Sequence, residues 1–362
     1  MQHRFNVSDL NAIETRVAAW VAGCQPLLDV FTTYVCVDHP ESTMRTFGQS
    51  CVICGRKLKQ KDPYLDFACK MYNLDYFSLA RDYDSENPDL KGPAKEKRQI
   101  AKPGVLGAVY RLRGGDMGIN PKTKEPMKTG LWGYAENMGV DMTQEKANET
   151  VKVFRDVYNE IVFSWYALDK LPIAVMTGKS IKFNEDSEYG TKLAYALKRL
   201  EELKIFMDKF TVMDHGNERH IFRIHLPSGR RLHYVNAFVD DIKAPWKGPN
   251  GEDVHRTSLC YGGVNQETKN WEDGVTTHGG KIFENIVQAI ARDVLVESLI
   301  KFEFYMNLPV VGHVHDEGIT ETPDDPFYAG VQEMEDTMRQ PILWAPGLPL
   351  GADGFEDFYY HK

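Results

Sequence analysis

The stretch VVGHVHDEGITETPDD, residues 310–325, sets an aspartate and a glutamate at the centre of a strand-like run. Val310, Val311, Val314, Ile319 and Thr320 favour a pleated chain, Gly312 and Gly318 flank the interruption, and Pro323 closes it. The pattern predicts a hairpin whose bend displays His315, Asp316 and Glu317. Adjacent carboxylates on a tight bend repel, which raises the cost of ionising both. A compensating positive charge is therefore expected there.

Working outward, residues 281–305 predict a long helix leading directly into the hairpin. Ile282, Phe283, Ile286, Val287, Ile290, Val294 and Leu295 form its apolar stripe, and Lys281, Asn285, Gln288 and Arg292 share the opposite face. At the other end of the chain, HRFNVSDL (3–10) reads as a strand and NAIETRVAAWVAG (11–23) as a helix, with Asp9 at the junction. A lone aspartate in that place is most often a helix cap. However, Asp9 and Asp316 both end short strands able to pair, and convergent carboxylates explain each other if divalent cations lie between them, as in two-metal phosphoryl transfer.

The segment RQIAKPGVLGAVYR (98–111) spaces Arg98, Lys102, Leu106 and Tyr110 four apart. On a helix they form a ridge of two cations, an apolar residue and a phenol, which suits a triphosphate and a base. Pro103 disfavours a helical Lys102, so the ridge is expected to kink, or the helix to begin at Pro103. Residues 63–83 are predicted helical, residues 142–170 one long helix capped by Asp141 or Thr143, and residues 219–239 a hairpin around Pro-Ser-Gly. Helix and strand mix without regular alternation, which argues for an α+β fold.

The 362 residues carry 43 basic and 52 acidic side chains, a net charge of −9, so nucleic acid must be held by a local patch. One candidate runs from Lys91 to Lys128, with ten Lys or Arg against Glu96, Asp116 and Glu125; a solvated charged loop would look the same. No signal-peptide core or apolar run of about 18 residues is present, so a cytoplasmic protein with no membrane partner is expected. Three of the six cysteines, together with His39, cluster in one polar insertion, 35–61. Cys36 and His39, then Cys51 and Cys54, have the spacing of a tetrahedral Zn²⁺ site; reduced cysteines in a surface loop are the alternative.

Taken in order, these segments resemble family A, DNA polymerase I-like, DNA polymerases, especially their phage members. DLNAIETR (9–16) is similar to the family's Asp-x-Ser-x-Ile-Glu-x-Arg motif, Val314 to Glu317 is its Val-His-Asp-Glu motif intact, and Arg98, Lys102, Leu106 and Tyr110 follow its nucleotide-binding ridge. Leu106 stands where the family has an aromatic residue, and Arg111 where it has glycine. ENIVQAIARD (284–293) and WAPGLPLGADG (344–354) also resemble phage members.

The resemblance implies an antiparallel palm with mainly helical fingers, the thumb and exonuclease being absent. Residues 1–34 would be the first part of the palm, 35–61 the Cys/His insertion, 62–270 the fingers and 271–362 the second part of the palm. It implies a template-directed DNA polymerase using primer-template DNA, deoxynucleoside triphosphates and two Mg²⁺ ions. Asp9, Asp316 and the Leu10 carbonyl would bind the metals, Arg98 and Lys102 the triphosphate, with Lys102 as general acid. Leu106 would meet the base, while Glu14 and Tyr110 exclude a 2′-hydroxyl. Lys281, Asn285, Gln288, Arg292 and His315 would face DNA, and Glu317 would support the metal-bearing bend. An RNA-synthesising relative is disfavoured by Glu14 and Glu317, and a silent nucleic-acid-binding subunit by Asp9, Lys102 and Asp316. A second polypeptide carrying the thumb and remaining palm, as in a split polymerase of a phage-infected or bacterial cell, is expected to dock on exposed apolar surface.

Overall fold

The computed structural model describes residues 2–120, 123–265 and 268–361. Pro121 and Lys122 of the basic stretch lie outside the described residues. Strand β1 (His3–Leu10) leads into α1 (Ile13–Ala22) and α2 (Gln25–Thr32). A short ribbon of β2 (Tyr34–Val35) and β3 (Lys59–Gln60) brackets the Cys/His insertion. Helices α3 (Pro63–Tyr72), α4 (Tyr76–Asp84) and α5 (Pro88–Ala108) follow, then the hairpin β4 (Met117–Ile119) and β5 (Pro126–Lys128). Next come α6 (Gly130–Asn137), α7 (Gln144–Val157), α8 (Asn159–Thr177) and α9 (Glu188–Glu202). Strands β6 (Phe206–Asp214), β7 (Asn217–His225), β8 (Arg231–Lys247), β9 (Asp253–Val264) and β10 (Trp271–Thr276) form an antiparallel sheet in the order β10-β9-β8-β7-β6. Helix α10 (Gly279–Tyr305), the hairpin β11 (Val310–Val314) and β12 (Glu317–Pro323), α11 (Val331–Met338) and β13 (Ala352–Asp357) complete a mixed α+β fold.

The two ends of the chain meet in a four-stranded antiparallel sheet, order β11-β12-β1-β13. It packs against α10, whose predicted stripe from Ile282 to Leu295 is buried, and against α11, while the almost wholly buried α1 packs on α10. His278 caps α10, its Nδ1 accepting from Lys281 N at 3.3 Å. The Pro-Ser-Gly hairpin forms as predicted, between β7 and β8, with Gly229 taking the left-handed turn position at φ 87°. No helix among the described residues is long and apolar enough to cross a membrane.

Two local expectations are corrected. Residues 142–170 are not one helix: the chain breaks at Tyr158 (φ −115°, ψ 52°), between α7 and α8. Its fully buried ring packs 5.1 Å from Phe154 and 5.9 Å from Phe67, so tertiary packing overrides a helical period that continues through the break. Thr143 supplies the cap of α7. Nor does a helix begin at Pro103, because α5 runs from Pro88 with Pro93 and Pro103 inside it. The lost hydrogen bond is offset by close packing: Pro103 is buried, and a Cβ on Gly104 would stand 2.5 Å from Thr150 Cγ2 of α7.

Candidate active site and metal centre

The β1–β12 ladder sets Asp9 opposite Glu317, and Leu10 N donates to Asp316 O at 3.2 Å. On the other flank of β1, Asp353 of β13 is also opposite Asp9. Directly opposed residues project to one face, so Asp9, Glu317 and Asp353 form a row across the end of the sheet. Glu317 is buried and accepts from Tyr360 Oη at 2.9 Å; Asp9 and Asp316 are half-buried. Asp9 is not the cap of α1. That position belongs to Ala12, held left-handed at φ 48°, ψ 38° without a side-chain cap.

Ala12 is a wall shared by two clefts. One, of about 580 Å³, is lined by Glu14, Leu106, Tyr110, Tyr134, Gln288 and Asp316. The other, of about 900 Å³, includes Asp9, Asp62, Tyr64, Arg98, Arg45 and Arg339. In the first, Tyr110 Oη donates to Glu14 Oε2 at 2.6 Å. Burial, then the Glu14 charge, push the phenol far above its ordinary pKa, so it stays a proton donor. In the second, Arg98 Nε and Nη2 donate to Asp62 Oδ2 at 2.9 and 2.8 Å. Asp62 Oδ1 meanwhile caps α3, accepting from Tyr64 N and Leu65 N. Arg98 and Lys102 both lie over the Tyr64 ring, at 5.0 and 5.9 Å.

The polar face of α10 is divided. Gln288 lines the smaller cleft, but Lys281 pairs with Glu284 at 3.0 Å and Asn285 Nδ2 donates to Tyr234 Oη at 2.8 Å. The Arg292 guanidinium lies against the His313 ring, 3.1 Å from Nε2. His315 is exposed at the bend with φ 52°.

Sequence reasoning assigned no role to Asp62 or Arg16. Arg16 is buried and donates from Nε to Asn11 O at 2.6 Å and from Nη2 to Gln60 Oε1 at 2.6 Å. Burial lowers its pKa to about 10. It ties the loop after Asp9 to β3 of the insertion. The Asp-Pro pair opening α3 was a readable capping signal for Asp62; its hold on Arg98 was not.

In the insertion, His39 Nδ1 lies 3.5 Å from both Cys36 Sγ and Cys51 Sγ, and Cys36 Sγ is 3.8 Å from Cys54 Sγ. The four ligand atoms all lie within 4.8 Å of one another. With Zn–S about 2.3 Å and Zn–N about 2.0–2.1 Å, a tetrahedral site has S···S edges of about 3.8 Å and S···N edges of about 3.5 Å. The Cys₃His cluster therefore has the donors and spacing to hold a zinc ion. Around it, only Cys36, Cys51 and Leu58 form a buried apolar cluster, with Tyr34 and Met44 packed against it.

No family model matches the chain. The DNA polymerase of Bacillus phage SP02 is 28% identical over 366 residues, covering 99% of this chain and 41% of the phage protein. Among solved structures, the POL domain of Pol1 from M. smegmatis, in complex with DNA primer-template and dNTP, matches with a TM-score of 0.45 and 13% identity, covering 98% of this chain and 39% of that one. The chain spans about two fifths of the length of these relatives. Over nearly its whole length it is similar to part of a phage DNA polymerase.

Proposed function

We propose that the chain carries the nucleotidyl-transfer site of a template-directed DNA polymerase, extending a primer 3′-hydroxyl with deoxynucleoside triphosphates. The observation that carries the reading is the meeting of Asp9 and the Asp316–Glu317 bend, from opposite ends of the chain, at neighbouring strand ends beside two clefts. Clustered carboxylate oxygens are the hard donors that Mg²⁺ takes. Asp9, Asp316 and the Leu10 carbonyl would hold two Mg²⁺ ions, which lower the pKa of the attacking hydroxyl and offset charge on the leaving group.

The chain's own side chains do the rest. Arg98 and Lys102 grip the triphosphate, with Asp62 fixing the guanidinium fork, and Lys102 gives its proton to the departing pyrophosphate. Leu106 packs on the incoming base. The Tyr110–Glu14 pair fills the space a 2′-hydroxyl would need. Gln288 faces the primer-template from α10, with Lys281, Asn285, Arg292 and His315 around it, and Glu317 steadies the bend.

Cys36, His39, Cys51 and Cys54 would hold a Zn²⁺ that staples the insertion. Its ribbon ends at Gln60, which holds Arg16, and the chain runs on directly to Asp62, which holds Arg98. The zinc module thus positions the triphosphate-binding arginine. A second polypeptide carrying the thumb and the rest of the palm completes the enzyme by docking on the exposed Val296, Ile300, Phe304 and Tyr305 of α10 and on Val311 of β11. Tight, processive synthesis by this chain alone at physiological salt would rule that partner out.

Primer extension with deoxynucleotides and ribonucleotides in parallel tests the main reading. Mg²⁺-dependent, template-directed addition favouring deoxynucleotides is expected. No addition under any partner or metal condition, by a folded chain that binds primer-template, would show a silent subunit instead.

A further inference from the structure

A third cavity, of about 630 Å³, opens on the other side of the Tyr110–Arg111 backbone. Its lining includes Arg111, Arg113, Arg155, Lys170 and Arg256, with Asp169 as the carboxylate among the described lining residues. Asp169 is already engaged at both oxygens: Oδ2 accepts from Arg111 Nη1 at 2.6 Å and Oδ1 from Gly279 N at 2.7 Å. Among the described residues, no carboxylate pairs with Arg113, Arg155, Lys170 or Arg256. The Nε atoms of Arg155 and Arg256 are buried without a hydrogen-bond partner. His278 also faces the cavity, and burial followed by the charge of Arg111 lowers its pKa, so it adds no compensating group.

Concentrated cations are costly for a fold, because each raises the energy of its neighbours and orphaned guanidinium N–H groups forfeit hydrogen bonds. An oxyanion removes both costs, and guanidinium forks match phosphate geometry. The site is built from four separate parts of the chain: the segment after α5, α7, α8 and β9. A solvated loop of basic residues would not converge in this way. The chain's net charge is −9, so a nucleic-acid strand needs such a local patch. A thin wall separates the cavity from the candidate active site: a Cβ on Gly280, at the start of α10, would lie 2.5 Å from Arg111 Cβ and 2.9 Å from Tyr110 O, and Tyr110 lines the cleft of Glu14 and Asp316.

We propose that Arg113, Arg155, Lys170 and Arg256 form a phosphate-binding pocket that holds the backbone of a single nucleic-acid strand passing the Tyr110 wall. The pocket deepens the polymerase reading and rests on it for the identity of the strand. The shared chemistry is the phosphate oxyanion. A free polyphosphate is the other source, and the test separates them.

The test measures fluorescein-labelled oligo(dT) binding to the full chain by anisotropy, without Mg²⁺, over a series of KCl concentrations, with inorganic triphosphate titrated separately. Arg113→Ala/Arg256→Ala should weaken oligo(dT) about tenfold and reduce the log–log salt slope by about 1.4, two contacts at about 0.7 each. Arg113→Lys/Arg256→Lys should keep most of the affinity and the slope. Unchanged circular dichroism and thermal unfolding show that the fold is retained; if the double alanine variant unfolds, Arg113→Ala alone is read for half the slope change.

Unaltered affinity and slope in a folded alanine variant overturn the pocket. Loss of triphosphate binding with oligo(dT) binding intact overturns the strand and assigns a free polyphosphate. Salt-dependent oligo(dT) binding through these arginines, in a chain that adds no nucleotide, would leave the pocket standing while the polymerase reading fails.

Discussion

The end of the four-stranded sheet and the Cys/His insertion both gather ligand-type residues, but by opposite means. At the sheet end, Asp9, Glu317 and Asp353 are set by paired strands, and Val7, Leu10 and Ile13 beneath them belong to the buried core. The acids are passengers on a frame that stands without them. In the insertion, the ribbon pairs two residues per strand and three buried residues make the apolar cluster. There the ligands are the frame. Removing a carboxylate should therefore abolish chemistry and spare the fold, whereas removing the candidate zinc ligands should abolish a piece of the fold.

The largest effect tests the first half of this contrast. Asp9→Asn or Asp316→Asn should cut single-turnover nucleotide addition by about a thousandfold or more, the scale of losing several kcal/mol of transition-state charge stabilisation. Thermal unfolding should stay level or rise, because a repulsive charge is gone. Near-normal extension by either variant removes the two-metal assignment; a collapsed unfolding temperature breaks the comparison itself.

Zinc comes next. Purified chain should carry about one Zn²⁺, and Cys51→Ser/Cys54→Ser should lose it together with protease resistance across residues 35–61. Binding to structural zinc sites is worth about 10–16 kcal/mol in small zinc modules, far more than three buried residues supply. Cys54→His should retain metal, since a Cys₂His₂ set is also a zinc site. Metal analysis that finds none after non-chelating purification would sink the assignment, and Arg98 would then be held by Asp62 without help from a staple.

The same contrast explains what could be read in the sequence. The hairpin at 310–323, the β1–α1 junction and the long α10 were legible because each rests on a local period or bend. The Cys₃His cluster that could hold zinc was legible as spacing. The break at Tyr158 was not, since apolar residues keep helical spacing across it and the cause is a ring buried against Phe67 of another helix. The Asp62 hold on Arg98, the Arg16–Gln60 link and the pocket of Arg113, Arg155 and Arg256 join distant segments that no window of sequence connects. The polar face of α10 was legible as a face, but its division among Glu284, Tyr234, His313 and the cleft depends on what packs opposite.

A smaller effect belongs to Glu14. Its carboxylate holds Tyr110 at 2.6 Å inside the cleft of Asp316, so Glu14→Ala opens space without touching the candidate metal ligands. Ribonucleotide use relative to deoxynucleotide use should rise roughly tenfold to a hundredfold, the range one steric or hydrogen-bond feature controls. Competition between the two substrates in one extension reaction measures it. If the ratio stays put, sugar discrimination lies elsewhere, while loss of all addition would mean that the pair also shapes the acid row.

The smallest effect sharpens the contrast within a single helix. Gln288 lines the cleft, whereas the Lys281 ammonium, two turns earlier on α10, is engaged by Glu284 at 3.0 Å in a pair open to solvent. Such an i,i+3 pair contributes about 0.2–0.5 kcal/mol at most, because water screens it and two long side chains lose freedom to form it. Lys281→Ala should therefore shift folding stability by no more than about 0.5 kcal/mol, read from denaturant unfolding. If Lys281 also meets a DNA phosphate, its loss should lower the salt slope of duplex binding by about 0.9 without changing the rate of addition on bound primer-template. An unchanged slope would leave Lys281 as a solvated partner of Glu284 and confine the DNA-facing part of α10 to its later turns; a large fall in the rate of addition would instead place Lys281 inside the site.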